Sequence, residues 1–252
     1  MSATKTQAFA LKTQDYRDTS LLATFYTRDH GKIRGIVKGI RGARAGFGGT
    51  VEPFSLNEIL FYQRKRGGDL HLVTQIDLEN IFSEVRNDLE RLSYASYFID
   101  LLNELVETED PNPPLFDLLQ DSLLFLSSGA SPKRCARVFE VKLLELLGLM
   151  PEIKVCVICQ TPDPDPAYFN VGFGGIHCKH CAPEKRSVSI PVSRGALHFC
   201  EHVRRAPVKD LYRVKVSQEV GEELEKILRR FVDFHLSNKL KSVTFLEKME
   251  LV

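Results

Sequence analysis

The rhythm of apolar and polar positions changes near residue 80. Before it, short runs rich in β-branched and aromatic residues (Gln7–Thr13, Ser20–Arg28, Gly31–Lys38, Pro53–Gln63 and Asp69–Ile76) are separated by Gly, Asp and Asn. Asp29-His30-Gly31 and Gly67-Gly68 are placed as hairpin turns. In the last run Leu70, Leu72, Thr74 and Ile76 share one face by period two, and Asp69, His71, Val73, Gln75 and Asp77 the other. Short strands packed into the first 80 residues favour a small closed barrel of the OB type over an open sheet with exposed edges.

From about Ile81 the apolar spacing becomes three and four. Leu89, Leu92, Tyr97, Leu101 and Leu105 predict one long helix to about Val106, stopped by Pro111-Asn112-Pro113-Pro114. Leu115–Leu126 reads as a second helix, ended by Ser127-Ser128-Gly129. Ser131-Pro132 supplies an N-cap and a first-turn proline for a third, which Gly148 stops. Helical spacing resumes at 193–203 and at 217–236, where Val220, Leu224, Ile227, Leu228 and Phe231 form the apolar stripe. The expected fold is therefore α+β. A five-stranded OB-like barrel (1–80) precedes a helical domain (81–252), with a cysteine module inserted at about 152–186.

That module has no helical period. It carries Cys156-x-x-Cys159 and Cys178-x-x-Cys181, and 18 residues lie between the pairs. This is the spacing of a tetrahedral thiolate site, in which each CxxC turn presents two sulfurs to one ion. A β-like stretch at 167–171 and the turn Gly172-Phe173-Gly174-Gly175 can bring one pair over the other. A segment with so little apolar content needs such a staple. The expectation is one structural Zn2+ per chain on Cys156, Cys159, Cys178 and Cys181. Disulfides, a redox dithiol, or substitution by the flanking His177 and His180 are the alternatives, and disulfides are rare in a reducing cytosol. Four thiolates leave no open position for catalysis. Cys135 and Cys200 fall on helical stretches and read as small buried residues.

Charge adds a second signal. Lys plus Arg total 34 and Asp plus Glu 33, which excludes a uniformly basic tail-type binder. The near-neutral sum hides blocks: 12 basic and 8 acidic groups in 1–80, 6 and 12 in 81–150, 16 and 13 in 151–252. Separate surfaces with separate partners follow. Between Gly31 and Thr50 stand Lys32, Arg34, Lys38, Arg41 and Arg44 with no acid among them. The first three share a strand face. The others sit in a glycine-rich loop, with Phe47, that can follow a phosphate backbone. Arg64, Lys65 and Arg66 add a second cluster at a hairpin tip. Ordinary solvated charge is the bland reading. On an OB-like barrel depleted locally in acids, nucleic-acid contact is the stronger one.

No P-loop, dinucleotide fingerprint, GxSxG or HExxH occurs in the sequence, so no catalytic residue is expected and the chain is not read as an enzyme. No apolar run approaches the ~20 residues of a membrane span, and the opening Met-Ser-Ala-Thr-Lys-Thr-Gln lacks the apolar core of a secretory signal. A cytoplasmic location, with no membrane partner, is the expectation.

Local sequence then resembles the bacterial RecO family of DNA repair proteins. The opening 16–22 (YRDTSLL) followed by 25–31 (FYTRDHG), the element Lys38-Gly39-Ile40-Arg41, the helix 139–148 (FEVKLLELLG) and the tail Lys239-Leu240-Lys241-Ser242 carry the resemblance, in order, across nearly the whole chain. The resemblance implies a recombination mediator of the RecF pathway, associated with the nucleoid. Such a protein binds single- and double-stranded DNA, anneals complementary strands and, with RecR, helps load RecA onto strands covered by single-strand binding protein (SSB). The alternative is a zinc-stapled OB protein that binds RNA or a promoter. The acidic helical middle is expected to be scaffold or a protein-docking surface.

Overall fold

The computed structural model describes residues 3–16, 19–38, 40, 51–63, 70–181, 189–211 and 214–249. Five strands, β1 (Ala3–Tyr16), β2 (Ser20–Thr27), β3 (Gly31–Val37), β4 (Leu56–Tyr62) and β5 (Leu70–Asn80), close into a barrel in the order β1-β2-β3-β5-β4. Only the β3–β5 seam is parallel; the other pairs are antiparallel. The OB-like barrel expected from the sequence is present, followed by helices. The β2–β3 turn forms where Asp29-His30-Gly31 predicted it. The Thr27 hydroxyl donates to the Gly31 carbonyl at 2.8 Å and accepts the His30 N–H at 3.1 Å.

Alternation decides which side chains fill the barrel. Ala8, Ala10, Leu21, Ala23, Phe25, Ile33, Val37, Ile59, Phe61, Val73 and Ile76 form its core, joined by Val51. Alanines on β1 and β2 leave room for Phe25 and Phe61, each fully buried and each stabilising by about 2–3 kcal/mol. Besides a register shift at the start of β4, where Leu56 meets Asn80 and Asn57 meets Leu78, two bulges break the simple alternation. On β1 the register shifts between Ala10 and Lys12, and Leu11 is buried. On β5 the register shifts where Leu60 meets Gln75 and Phe61 meets Val73. That second shift corrects the expected faces of β5. His71 and Val73 point inward together with Ile76, while Thr74 is exposed, because one extra residue between Val73 and Ile76 reverses the parity.

The single long helix expected from Ile81 is two. A short α1 (Ser83–Arg86) precedes α2 (Leu89–Leu105). Asp88 interrupts them because its carboxylate caps α2, accepting the Arg91 N–H at 3.0 Å. α3 (Pro113–Ser127) starts at Asn112, whose side chain accepts the Leu115 N–H at 3.1 Å. Phe116 of α3 lies on the outer face of the barrel, 4.9 Å from the Phe9 ring and 6.3 Å from Tyr26. Arg28 lies over Phe116 and forks onto Asp117 at 2.7 and 3.2 Å. Helices thus cover the Phe9–Tyr26 end of the β1–β2 surface.

The chain forms two compact units, one of residues 1–128 and 240–251, the other of 129–239. The first contains the barrel, α1 to α3 and, at the end of the chain, α8 (Lys241–Lys248). The second contains α4 (Pro132–Leu146), α5 (Arg194–Arg205), the short α6 (Val208–Leu211) and α7 (Gln218–His235). It also holds a three-stranded antiparallel sheet, β6 (Ala167–Asn170), β7 (Gly175–Cys178) and β8 (Ser189–Val192), in the order β7-β6-β8. Phe169 of β6 meets Phe231 of α7 edge-on at 5.7 Å, which ties this sheet to the helices. On α4, buried Arg137 and Glu140 pair at 3.0 Å, and Glu225 of α7 lies 3.5 Å from the same guanidinium.

Candidate nucleic-acid interface and metal centre

The cations expected on β3 sit as alternation dictates. Lys32, Arg34 and Lys38 point outward, Arg34 and Lys38 exposed and Lys32 half-buried. Lys32 is partly committed. Its ammonium donates to the Asn103 carbonyl of α2 at 2.7 Å, and burial lowers its pKa, with Glu104 opposing that shift. The remaining expected contacts, Arg41, Arg44, Arg64, Lys65 and Arg66, and the loop phenylalanine Phe47, lie outside the described residues.

One groove on the open part of the barrel face gathers what β3 alone does not show. It has a volume of about 290 Å³ and is lined by Lys12 and Gln14 of β1, Leu22 and Thr24 of β2, Lys32 and Arg34 of β3, and Asn103 and Thr108. The strand register explains the grouping. Lys12 pairs with Thr24, and Thr24 pairs with Arg34, so the two cations flank one threonine in a single row across three strands. Lys12 was not among the residues singled out from sequence. Counted by twos from Ala8 and Ala10 it belongs inside the barrel, and only the bulge at Leu11 turns it outward.

The four module cysteines converge. The sulfurs of Cys156, Cys159, Cys178 and Cys181 all lie within 4.8 Å of one another. The first knuckle is a tight turn, in which the Cys156 N–H donates to the Thr161 carbonyl and the Gln160 N–H to the Cys156 carbonyl, both at 2.9 Å. It docks on β7 through the Val157 N–H, which donates to the Ile176 carbonyl at 2.9 Å. The second pair leaves the end of β7, and the Cys178 N–H points at the Cys156 sulfur at 3.4 Å. Cys159 and Cys178 sulfurs are 3.7 Å apart. Four thiolates about 2.3 Å from a tetrahedral ion stand about 3.8 Å from one another, so the spacing suits a single metal ion.

The thiols of the cluster shift one another. The Thr161 hydroxyl, 3.1 Å away, leads the effects that pull the Cys159 thiol down to about 6. Burial acts to raise Cys156, but backbone N–H groups of Cys159, Cys178 and Ile158 outweigh it and its pKa falls. The Cys181 thiol is pushed up to about 12, chiefly by its hydrogen bond to Cys159. Neither flanking histidine belongs to the cluster. His177 is buried with its ring nitrogens 3.0 Å from the Cys178 carbonyl and 2.9 Å from the Ser189 hydroxyl, and its ring stacks on Tyr168. His180 is exposed. The other two cysteines are buried thiols, and burial pushes Cys135 and Cys200 each up to about 12. Among the described residues no helix is long and apolar enough to cross a membrane.

Comparison with known proteins covers both halves of the chain. Residues 1–82 match the family model for the N terminal part of recombination protein O, and residues 86–244 match that for its C terminal part. The chain is 34% identical to a DNA repair protein RecO of Syntrophus aciditrophicus over 249 residues, covering 98% of this chain and 96% of that one. It is 32% identical to one of Desulforamulus reducens (99% and 96% covered) and 30% identical to one of Halalkalibacterium halodurans (98% and 95%).

Proposed function

Because this chain belongs to the RecO family of DNA repair proteins, we propose that it works as a non-enzymatic recombination mediator, binding single- and double-stranded DNA and annealing complementary strands. In this reading it acts in the cytoplasm, at the nucleoid, as part of the RecF pathway. It engages strands covered by SSB and, with RecR, helps RecA load onto them. DNA runs along the basic barrel surface, over Lys32, Arg34 and Lys38 and the flanking Arg41, Arg44, Arg64, Lys65 and Arg66. The four cysteines hold one structural Zn2+, which folds the module and takes no part in chemistry.

The observation that carries the reading is the family match across the whole chain, in both halves. The outward cations of β3 support it, since such a row gives a phosphate backbone an electrostatic track. The test is the annealing of complementary oligonucleotides precoated with SSB, with and without the purified protein. The expected result is an acceleration that fades with salt. No acceleration, with or without added RecR, would sink the mediator reading.

A further inference from the structure

The four sulfurs of the cluster are not equivalent. Cys156 and Cys178 are buried, Cys181 is half-buried and Cys159 is exposed. The Cys159 sulfur stands 3.1 Å from the Thr161 hydroxyl and 3.7 Å from the Cys178 sulfur. The exposed sulfur of one CxxC pair therefore lies beside a buried sulfur of the other, at the junction between the first knuckle and the end of β7. That junction has few other anchors. Within 152–161 only Ile153 and Cys156 are buried. The Val157 N–H donates to the Ile176 carbonyl and the Ile176 N–H to the Glu152 carbonyl, both at 2.9 Å. Lys154 reaches Glu201 of α5 at 3.1 Å, an exposed pair that contributes little.

Zn2+ does not change its oxidation state, so an oxidant acts on the sulfurs. The thiolate is the nucleophile, and access selects among the four. Four thiolates around one divalent ion carry a net charge of about −2, which repels anionic reagents and admits small neutral ones. Hydrogen peroxide is the oxidant that fits.

We propose that Cys159 is an oxidation site for hydrogen peroxide and that Cys178 resolves it, so that a Cys159–Cys178 disulfide replaces the metal as the staple of the module. The inference rests on the four-thiolate zinc reading above and extends it to the reactivity of each sulfur. The Cys159 thiolate attacks one peroxide oxygen, the O–O bond breaks, Cys159 becomes a sulfenic acid and hydroxide leaves. The Cys178 thiolate then attacks the Cys159 sulfur, the S–S bond forms and a second hydroxide leaves. Two sulfurs have lost two electrons in all, and one peroxide has become two hydroxides, which take up protons as water. Cys156 and Cys181 alone no longer retain the ion. A bond across the pairs keeps the knuckle joined to β7, whereas a bond within Cys156-x-x-Cys159 would leave it unlinked.

The test adds hydrogen peroxide to the zinc-loaded full-length protein, freed of reductant, and follows metal release with a chelating dye. Remaining thiols are alkylated, and the linkage is mapped after digestion with trypsin and a protease that cuts before Asp163 and Asp165. Cys156 and Cys159 then fall on peptide 155–162, Cys178 on 165–179 and Cys181 on 180–185. The expected result is release of about one Zn2+ per peroxide consumed, with 155–162 joined to 165–179 and alkyl groups on Cys156 and Cys181. Dithiothreitol with Zn2+ should restore the starting protein. The oxidised form should melt above reduced protein stripped by a chelator, because it keeps a staple. Thr161→Val should hold its zinc and release it severalfold faster under peroxide, since the hydroxyl no longer damps the Cys159 sulfur. Cys135→Ser should release it at the wild-type rate. Metal retained under peroxide, a disulfide within 155–162, a link through Cys181, or an unchanged rate in Thr161→Val would overturn the proposal. Absence of zinc from the purified protein would instead remove the zinc reading itself, so the two failures are distinct.

Discussion

Asp100, in the middle of α2, accepts the backbone N–H of Ser242 at 3.2 Å, 142 residues further along the chain. The first turn of α8 has no side-chain cap of its own, and Leu240 at its N-cap position offers none. A carboxylate from a neighbouring helix supplies both the acceptor and the favourable charge for that helix end. The contact pins the last helix of the chain onto the unit that holds the barrel, with Val243 and Leu246 buried beneath it.

Asp100→Ala should therefore loosen α8 without touching the barrel core. The expected loss is about 1 kcal/mol, the ordinary cost of a lost cap. It should appear as a lower melting temperature and faster tryptic cleavage at Lys239 and Lys241. Asp100→Asn, which keeps an acceptor, should recover most of that loss. Equal losses for the two variants would show that charge, not the hydrogen bond, holds the helix.

Thiol counting separates the two classes of cysteine. At pH 8, Cys135 and Cys200 with values near 12 hold a thiolate fraction of about one in ten thousand, and the fraction rises only as pH climbs toward 12. In the native metal-loaded protein, Ellman's reagent should find almost no reactive thiol. Addition of a strong chelator should release one Zn2+ per chain and expose four thiols, leaving two that react only in denaturant. Cys156→Ser should abolish metal retention, whereas Cys135→Ser should leave the metal content intact. Retention of a full equivalent of zinc by Cys156→Ser would rule out the four-thiolate site.

What the sequence disclosed, and what it withheld, follows one physical line. Local signals were legible: runs rich in β-branched and aromatic residues marked the five barrel strands, Asp29-His30-Gly31 marked the β2–β3 turn, Ser131-Pro132 marked the start of α4 and the doubled CxxC marked the sulfur cluster. Features made by register were not. A one-residue bulge at Leu11 turns Lys12 from the core to the groove, and another on β5 puts His71 inside the barrel. Neither bulge leaves a mark in composition. Strands β7 and β8 are four residues each, too short for alternation to show, and they exist because β6 pairs with both. The break between α1 and α2 was concealed for a different reason. Its apolar spacing runs on unbroken, and the Asp88 cap outcompetes continuation.

The pair formed by Arg137 and Glu140 on α4 gives a stability prediction. Both side chains are buried, and the carboxylate is fully enclosed. Truncating the acid leaves a guanidinium deprived of its nearest partner in a low-dielectric surrounding, which costs about 3–5 kcal/mol. Glu140→Ala should thus show a large drop in the urea midpoint. Glu225→Ala, at 3.5 Å from the same group and nearer solvent, should cost far less. Comparable costs for the two would mean that the guanidinium is shared evenly between them.

Two glycines with opposite surroundings test how the strap that follows α2 (106–110) is held beside β3, where Thr108 bridges to Lys32 and the Glu109 N–H donates to the Lys32 carbonyl at 2.9 Å. Gly31 has φ of +64°, and a Cβ added there would stand 2.3 Å from the Asp110 carbonyl oxygen. Alanine at this position incurs the left-handed penalty of about 1–2 kcal/mol and must also push the strap away from β3. Gly221 lies inside α7 with nothing within 4 Å of an added Cβ. Alanine there should stabilise the protein by about 0.5–1 kcal/mol through the unfolded chain and the helix propensity. Gly31→Ala should therefore lower the melting temperature, and it should increase cleavage by a glutamate-specific protease at Glu107 and Glu109. Gly221→Ala should raise the melting temperature and leave that cleavage unchanged. If Gly31→Ala destabilised the protein with the strap still protected, the close approach to Asp110 would be incidental. The Glu109 contacts to Lys32 and His71 would then be enough to hold the strap.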